Sequence, residues 1–272
     1  MAESDSSLEI PVEFYPKIVE VAGEEGEEAT YRKANASGVL HAKPGETAVI
    51  LIDTWNGVGG ADPLTPLRKR QKEFLEFCRE VGITVIHAPN MPAAKNYPQY
   101  FEIKEKVSSM VEGYDVRPKN PPPFMELPKK NSEVYDQGRA LRQSARVKDA
   151  FMPPTNLDIS KHLKPLDSEY VLTSYMELRY VIWKEEIGCI LYMGEYLNEC
   201  VQQRETGINR LAGTDKWRVP LALVVLKDLV AFEETEDVEA ALGSKVMLDY
   251  FKRKIAFVSR GKGIMKSFRE QP

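Results

Sequence analysis

"TAVILIDTWN", residues 47–56, decides the fold. Ala48 to Ile52 are apolar without a break, and a carboxylate follows at Asp53. A strand buried on both faces reads as such a continuous run, whereas a half-exposed strand alternates. Pro63 and Pro66 then open "LRKRQKEFLEFCREVG" (67–82), where Leu67, Phe74, Leu75, Cys78 and Val81 keep helical spacing and Gly82 supplies the stop. "ITVIHAP" (83–89) is a second apolar strand. Strand, helix, strand over some forty residues is a βαβ unit, and it implies a parallel sheet.

The same rhythm returns further on. "EYVLTS" (169–174) reads as strand, "YMELRYVIWKEE" (175–186) as helix and "GCILYMG" (188–194) as strand. "NECVQQRETGINRLA" (198–212) reads as helix, "PLALVVLKD" (220–228) as strand, "EDVEAALGSKVMLDYFKRK" (236–254) as helix and "IAFVS" (255–259) as the last strand. The expectation is a doubly wound α/β fold, with a mostly parallel six-stranded sheet and helices on both faces. Residues 1–45, with "AGEEGEEATYRKANASG", are expected to form an arm of loop or extended chain. Residues 46–272 form a single domain. Its rhythm is broken at about 91–165 by "NPPPF", "MPP" and charged patches, an insertion with one helix near 98–111 that suits a lid or an oligomer contact.

Bulk properties narrow the function. A formal charge of −4 on 272 residues gives no basic surface for nucleic acid. No stretch reaches the roughly 18 apolar residues of a membrane helix, and "MAESDSSLEI" lacks the basic and apolar regions of a signal peptide. The expected partner is a small molecule in the cytoplasm, with neither nucleic acid nor membrane. Cys78, Cys189 and Cys200 are odd in number and lack CxxC spacing, which argues for reduced thiols over disulfides or zinc. His41, His87 and His162 are scattered, so no metal and no cofactor is expected.

In doubly wound sheets, ligands bind beyond the carboxyl ends of the strands. Those ends nominate Asp53, His87, Thr173 with Ser174, and Gly194 leading through "EYLNE" to Cys200. A carboxylate placed directly after a buried strand is partly desolvated and can exchange protons near neutrality, though a turn aspartate would look the same. Cys200 falls at a predicted helix start with Asn198 as N-cap. A helix N-terminus favours thiolate and offers N–H groups for an oxyanion; a packed small residue is the alternative. Trp55, Asn56, His87, Thr173, Glu177 and Tyr196 are candidates to line the pocket. Arg204, one turn beyond Cys200, fits a salt bridge beside the site. Arg139, Arg142, Arg146 and Lys148 form either an anion-attracting patch or a solvated helix face.

Taken jointly, "AVILIDTWN", "EFCREVGITVIHAPN" and "GCILYMGEYLNECV" resemble the isochorismatase-like cysteine hydrolases over residues 45–260, with 91–165 poorly matched. The resemblance implies a Rossmann-like three-layer fold, a catalytic aspartate at Asp53 and a nucleophile at Cys200, six residues after Gly194. It also implies a cis peptide at Tyr196–Leu197, an oxyanion hole from Leu197 and Cys200, a strand-ending aspartate at Asp228, and a homodimer or larger oligomer. The implied activity is cleavage of a C–N bond in a small amide through a Cys200 thioester, with Asp53 as acid and base. Two departures stand out. Leu197 occupies the usual threonine position, and the family's third catalytic residue, a lysine, has no counterpart near Thr173 or Ser174. Lys161 or Lys164 would have to supply it, with Lys164 taken as the catalytic candidate. The rival readings are a degraded family member that binds a small molecule or serves as a scaffold, and an isochorismate-type ether hydrolase using Asp53 alone.

Overall fold

The computed structural model describes residues 7–15, 19–21, 30–32, 35–56, 64–110, 136–137, 140, 157–212 and 221–271. Its strands are β1 (Leu8–Phe14), β2 (Val19–Val21), β3 (Thr30–Arg32), β4 (Ala36–Ala42), β5 (Thr47–Ile52), β6 (Thr84–Ala88), β7 (Tyr170–Val171), β8 (Cys189–Gly194), β9 (Ala222–Leu226) and β10 (Phe257–Ser259). The main sheet has the order β4-β1-β10-β9-β8-β5-β6-β7. The six strands expected from the sequence are β5 to β10, and they pair in parallel throughout.

The sheet nevertheless has eight strands, not six. The arm supplies the other two: β1 pairs antiparallel with both β10 and β4. Leu8, Ile10 and Val12 alternate along β1 and are all buried in the core. That period of two marks a strand with one buried face, and it stood in "LEIPVEF" beside the charged residues of the arm. β2 and β3 pair as a separate two-stranded sheet.

The described helices are α1 (Thr65–Val81), α2 (Met91–Ala94), α3 (Pro98–Met110), α4 (Tyr175–Lys184), α5 (Cys200–Gln203), α6 (Ile208–Leu211), α7 (Ala240–Lys254) and α8 (Gly261–Arg269). Gly82 ends α1 in the left-handed region at φ 81. The single helix expected over 198–212 is instead two one-turn helices, because the chain leaves helical geometry at Arg204 (φ −59, ψ 159). α8 was not anticipated. Asp228 accepts from its first N–H groups, at Gly261 (2.8 Å) and Lys262 (3.2 Å), so this aspartate serves as a helix cap. Residues 111–135 and 141–156, with Arg139, Arg142, Arg146 and Lys148, lie outside the described residues.

Alternation along the buried strands separates two apolar layers. Val49, Leu51, Leu191 and Val224 pack against Phe74, Leu75 and Cys78 of α1 and against Ile264 and Met265 of α8. Ile50, Ile52, Ile190 and Val225 pack against Ile103 of α3, Val181 of α4 and Phe251 of α7. The result is three layers, helix–sheet–helix. Cys78 and Cys189 are buried in the first layer, and burial pushes both thiols up, Cys189 to about 12. They are packing residues.

Candidate active site at the strand ends

Ile52 sits opposite Ala88 on one side and Gly194 on the other, so β6, β5 and β8 end level. The next backbone groups stay tied together. The Asp53 N–H donates to Ala88 O (3.2 Å), and the Glu195 N–H donates to Ile52 O (3.1 Å). A Cβ at Gly194 would stand 2.6 Å from Ile52 O and 2.9 Å from Val201 Cγ2. Only glycine lets the strand end and the Cys200 turn come this close.

Asp53 is fully buried and holds a left-handed backbone, φ 48. Such a conformation is uncommon in a residue other than glycine and gathers at functional sites. Its Oδ2 accepts from Arg204 Nε at 2.6 Å, while Oδ1 is buried with no partner among the described residues. Burial raises the carboxyl above its ordinary value. Arg204 and the Asn90 N–H offset part of that rise.

Cys200 is half-buried and opens α5, and the cap position belongs to Glu199, which makes no capping bond. Asn198, the expected cap, instead exchanges hydrogen bonds with the Glu233 backbone (2.9 and 3.1 Å). The Cys200 thiol points at Tyr196 O, 3.6 Å away. Burial, followed by the negative charge of Asp53, pushes this thiol up to about 12. That reverses the lowering expected of a helix start: a single turn aligns few peptide dipoles, and desolvation outweighs them. The resting pair is therefore a neutral thiol beside the Asp53 carboxyl.

The turn before Cys200 also departs from expectation. The described residues contain no cis peptide, so Tyr196–Leu197 is trans. Tyr196 bridges to Ala231 as in a parallel ladder, and the Leu197 N–H donates to Ala231 O at 2.8 Å. Leu197 is buried and its N–H is engaged, so it is not free to face an oxyanion.

The positive charge beside Asp53 comes from Arg204. Lys164 pairs with Asp158 and donates to Tyr97 Oη (2.7 Å), and Lys161 is exposed. Asp158 in turn exchanges backbone and side-chain bonds with Asn56, both at 2.9 Å, so the segment at 158–160 runs beside 54–56. Trp55 bridges to Ile159, with Nε1 buried and unpartnered among the described residues. His87 turns away from this cluster. It is buried, its Nε2 lies 2.9 Å from Glu169 Oε2, and burial lowers its pKa so that it stays neutral. Glu177 accepts from the N–H groups of Thr173 (2.7 Å) and Ser174 (2.9 Å), completing a capping box at the start of α4.

A cavity of about 410 Å³ opens at this end of the sheet, lined by Asn90, Tyr100, Thr173, Glu177, Gln203 and Arg204 among others. Sequence reasoning missed Arg68 and Gln71, both fully buried on α1. Arg68 Nη2 meets Glu195 Oε1 at 3.2 Å, and Gln71 Nε2 donates to Gly194 O (2.7 Å) and Leu229 O (2.9 Å). Together they fasten the turn that carries Cys200. The available signal was two polar residues placed four and seven positions after Leu64 at the buried edge of the α1 stripe. Among the described residues, no three His, Cys, Asp or Glu side chains gather to hold a metal. No described helix is long and apolar enough to cross a membrane.

Comparison with solved structures matches this arrangement of strands and helices. A cysteine hydrolase from Pseudomonas syringae pv. phaseolicola superposes with a TM-score of 0.51 at 14% identity, covering 83% of this chain and 93% of the other. The chain has the fold of a cysteine hydrolase. Looser likenesses include an isochorismatase from Pseudomonas putida (TM-score 0.45, 15% identity, 82% and 91% covered) and an isochorismatase family protein from Burkholderia thailandensis (TM-score 0.47, 13% identity, 83% and 96% covered). No family model matches the chain, and no curated protein matches it by sequence. On the cysteine-hydrolase fold seen here, the arm strands β1 and β4 extend the sheet on the side away from Asp53, beyond β10.

Proposed function

We propose that this protein is a hydrolase of the isochorismatase-like kind, cleaving a C–N bond of a small amide with Cys200 as nucleophile and Asp53 as acid and base. One observation carries the reading: a buried carboxyl and a half-buried thiol stand at neighbouring strand ends, close enough for the charge of Asp53 to bear on the thiol. A carboxylate whose proton affinity is raised by burial is a stronger base than a solvated one. In the reaction, Asp53 takes the thiol proton as Sγ bonds to the amide carbon and the carbonyl electron pair moves to oxygen. The intermediate collapses, the C–N bond breaks, and Asp53 returns the proton to the leaving nitrogen. Water then attacks the thioester, giving its proton to Asp53. The C–S bond breaks and the thiolate recovers a proton, so that amide plus water becomes acid plus amine.

A second reading, a binding protein on a hydrolase fold, is favoured by the engaged Leu197 N–H, since loss of one oxyanion donor lowers kcat by about 10²- to 10³-fold. A panel of small amides assayed with the wild type, Cys200→Ala and Asp53→Asn separates them. Turnover abolished in both variants supports the cysteine hydrolase. Full turnover in Cys200→Ala sinks it, and if Asp53→Asn alone is dead, acid catalysis of ether hydrolysis takes its place. Ligand binding without turnover in the wild type supports the second reading.

A further inference from the structure

We propose that Arg204 is the positioning cation of this site: it keeps Asp53 ionised, and by occupying Oδ2 it leaves Oδ1 as the oxygen that accepts the Cys200 proton. This rests on the hydrolase reading above and deepens it. Three observations support it. Arg204 Nε meets Oδ2 at 2.6 Å, while Oδ1 is buried and unpartnered among the described residues. The chain breaks from helix at Arg204 itself, and the Arg204 N–H donates to Cys200 O at 3.2 Å, so cation and nucleophile share one hydrogen-bonded five-residue segment. Gly207 allows the return after the break, because a Cβ there would lie 2.9 Å from Arg204 O.

A buried carboxyl without a cation binds a proton and ceases to be a base. Among the described residues, Arg204 is the one cation acting on Asp53. The other groups around it are the Asn90 N–H after β6 and the neutral Cys200 thiol; Glu195, which bears on Cys200, is paired with Arg68. The lysine that the resemblance implies near Thr173 or Ser174 is thus replaced by a guanidinium delivered from the nucleophile's own segment. A guanidinium stays charged throughout the working pH range, and its Nε–H has a fixed direction that an ammonium lacks. Arg204 also lines the cavity with a side chain 43% exposed, so it joins buried Asp53 to that space, which neither Asp53 nor Cys200 lines itself.

The sign of the effect is fixed. Arg204 lowers the Asp53 pKa, so its removal sends that pKa higher and moves the acid limb of kcat/KM to higher pH. The test is a pH titration of the Asp53 carboxyl by NMR in protein labelled with ¹³C-aspartate, the signal assigned by its loss in Asp53→Asn. Arg204→Gln is expected to raise the midpoint by about 1 to 2 pH units, with Arg204→Lys between it and the wild type. With an amide that turns over, the acid limb shifts by the same amount, kcat falls and KM changes little. A midpoint or acid limb that stays put in Arg204→Gln overturns the proposal. If that variant does not fold, Arg204→Lys decides by the same criterion: a raised midpoint supports the proposal, and an unmoved one overturns it. Failure of the hydrolase reading is seen separately, as full turnover in Cys200→Ala, and leaves the carboxyl titration intact.

Discussion

At the scale of single residues, the Asp53–Cys200 pair rests in its neutral-thiol form. The thiol is pushed up to about 12 by burial and by the Asp53 charge, so little thiolate exists at neutral pH. Iodoacetamide should therefore modify Cys200 slowly at pH 7, and faster as pH rises. Asp53→Asn removes one of the causes that raise it and should speed the reaction about 3- to 10-fold at pH 8, since each unit of pKa is tenfold in thiolate. Mass spectrometry of the three cysteines checks this, with Cys78 and Cys189 as buried references. A rate unchanged by Asp53→Asn would show that the two groups do not interact. The sequence nominates both residues, because a strand end followed by Asp and a Gly six residues before Cys are local patterns. It offered Arg204 as a salt bridge beside the site but not its partner, because the bond to Asp53 spans 151 positions and depends on a break that helical propensity does not reveal. The sign of the Cys200 shift was hidden for a related reason: desolvation is a tertiary property.

At the scale of elements, the Gly194 contact holds the turn that carries Cys200 against β5. A methyl group there must displace the Ile52 carbonyl and Val201 together, and neither is the free end of a flexible side chain. Gly194→Ala should cost about 1 to 3 kcal/mol, read as a lower urea midpoint at unchanged m-value. A loss below about 0.5 kcal/mol, the range of ordinary surface changes, would mean that the turn can move freely. Elements buried on both faces were the legible ones. β5, β6, β8 and β9 announce themselves as apolar runs, whereas β7 is only Tyr170–Val171 and needed its neighbours to be placed. The 198–212 segment was misread as one helix although Gly207 stood inside it, a residue that weakens any helix interior.

At the scale of the whole molecule, Glu169 links α1 to the edge of the sheet. Its carboxylate takes Arg79 Nε and Nη2 at 2.7 and 2.9 Å, together with His87 and the Leu166 N–H. Burial alone would raise it, but these bonds hold it at about 2, below its ordinary 4.5. A carboxyl depressed on folding stabilises fully above 4.5, and that contribution is lost as pH falls towards 2. Wild-type protein should thus lose more urea resistance between pH 7 and pH 3 than Glu169→Gln does. Parallel losses in the two proteins would remove Glu169 from the account of acid stability. Asp53 has the opposite relation to the fold. Its carboxyl is raised, its Oδ1 has no partner among the described residues and its backbone sits at φ 48, so its ionised form works against folding at neutral pH. Selection for thermal endurance alone would drift this position towards glycine or asparagine. A residue that costs stability where it stands is the mark expected of a position kept for chemistry, as the proposed acid and base role requires.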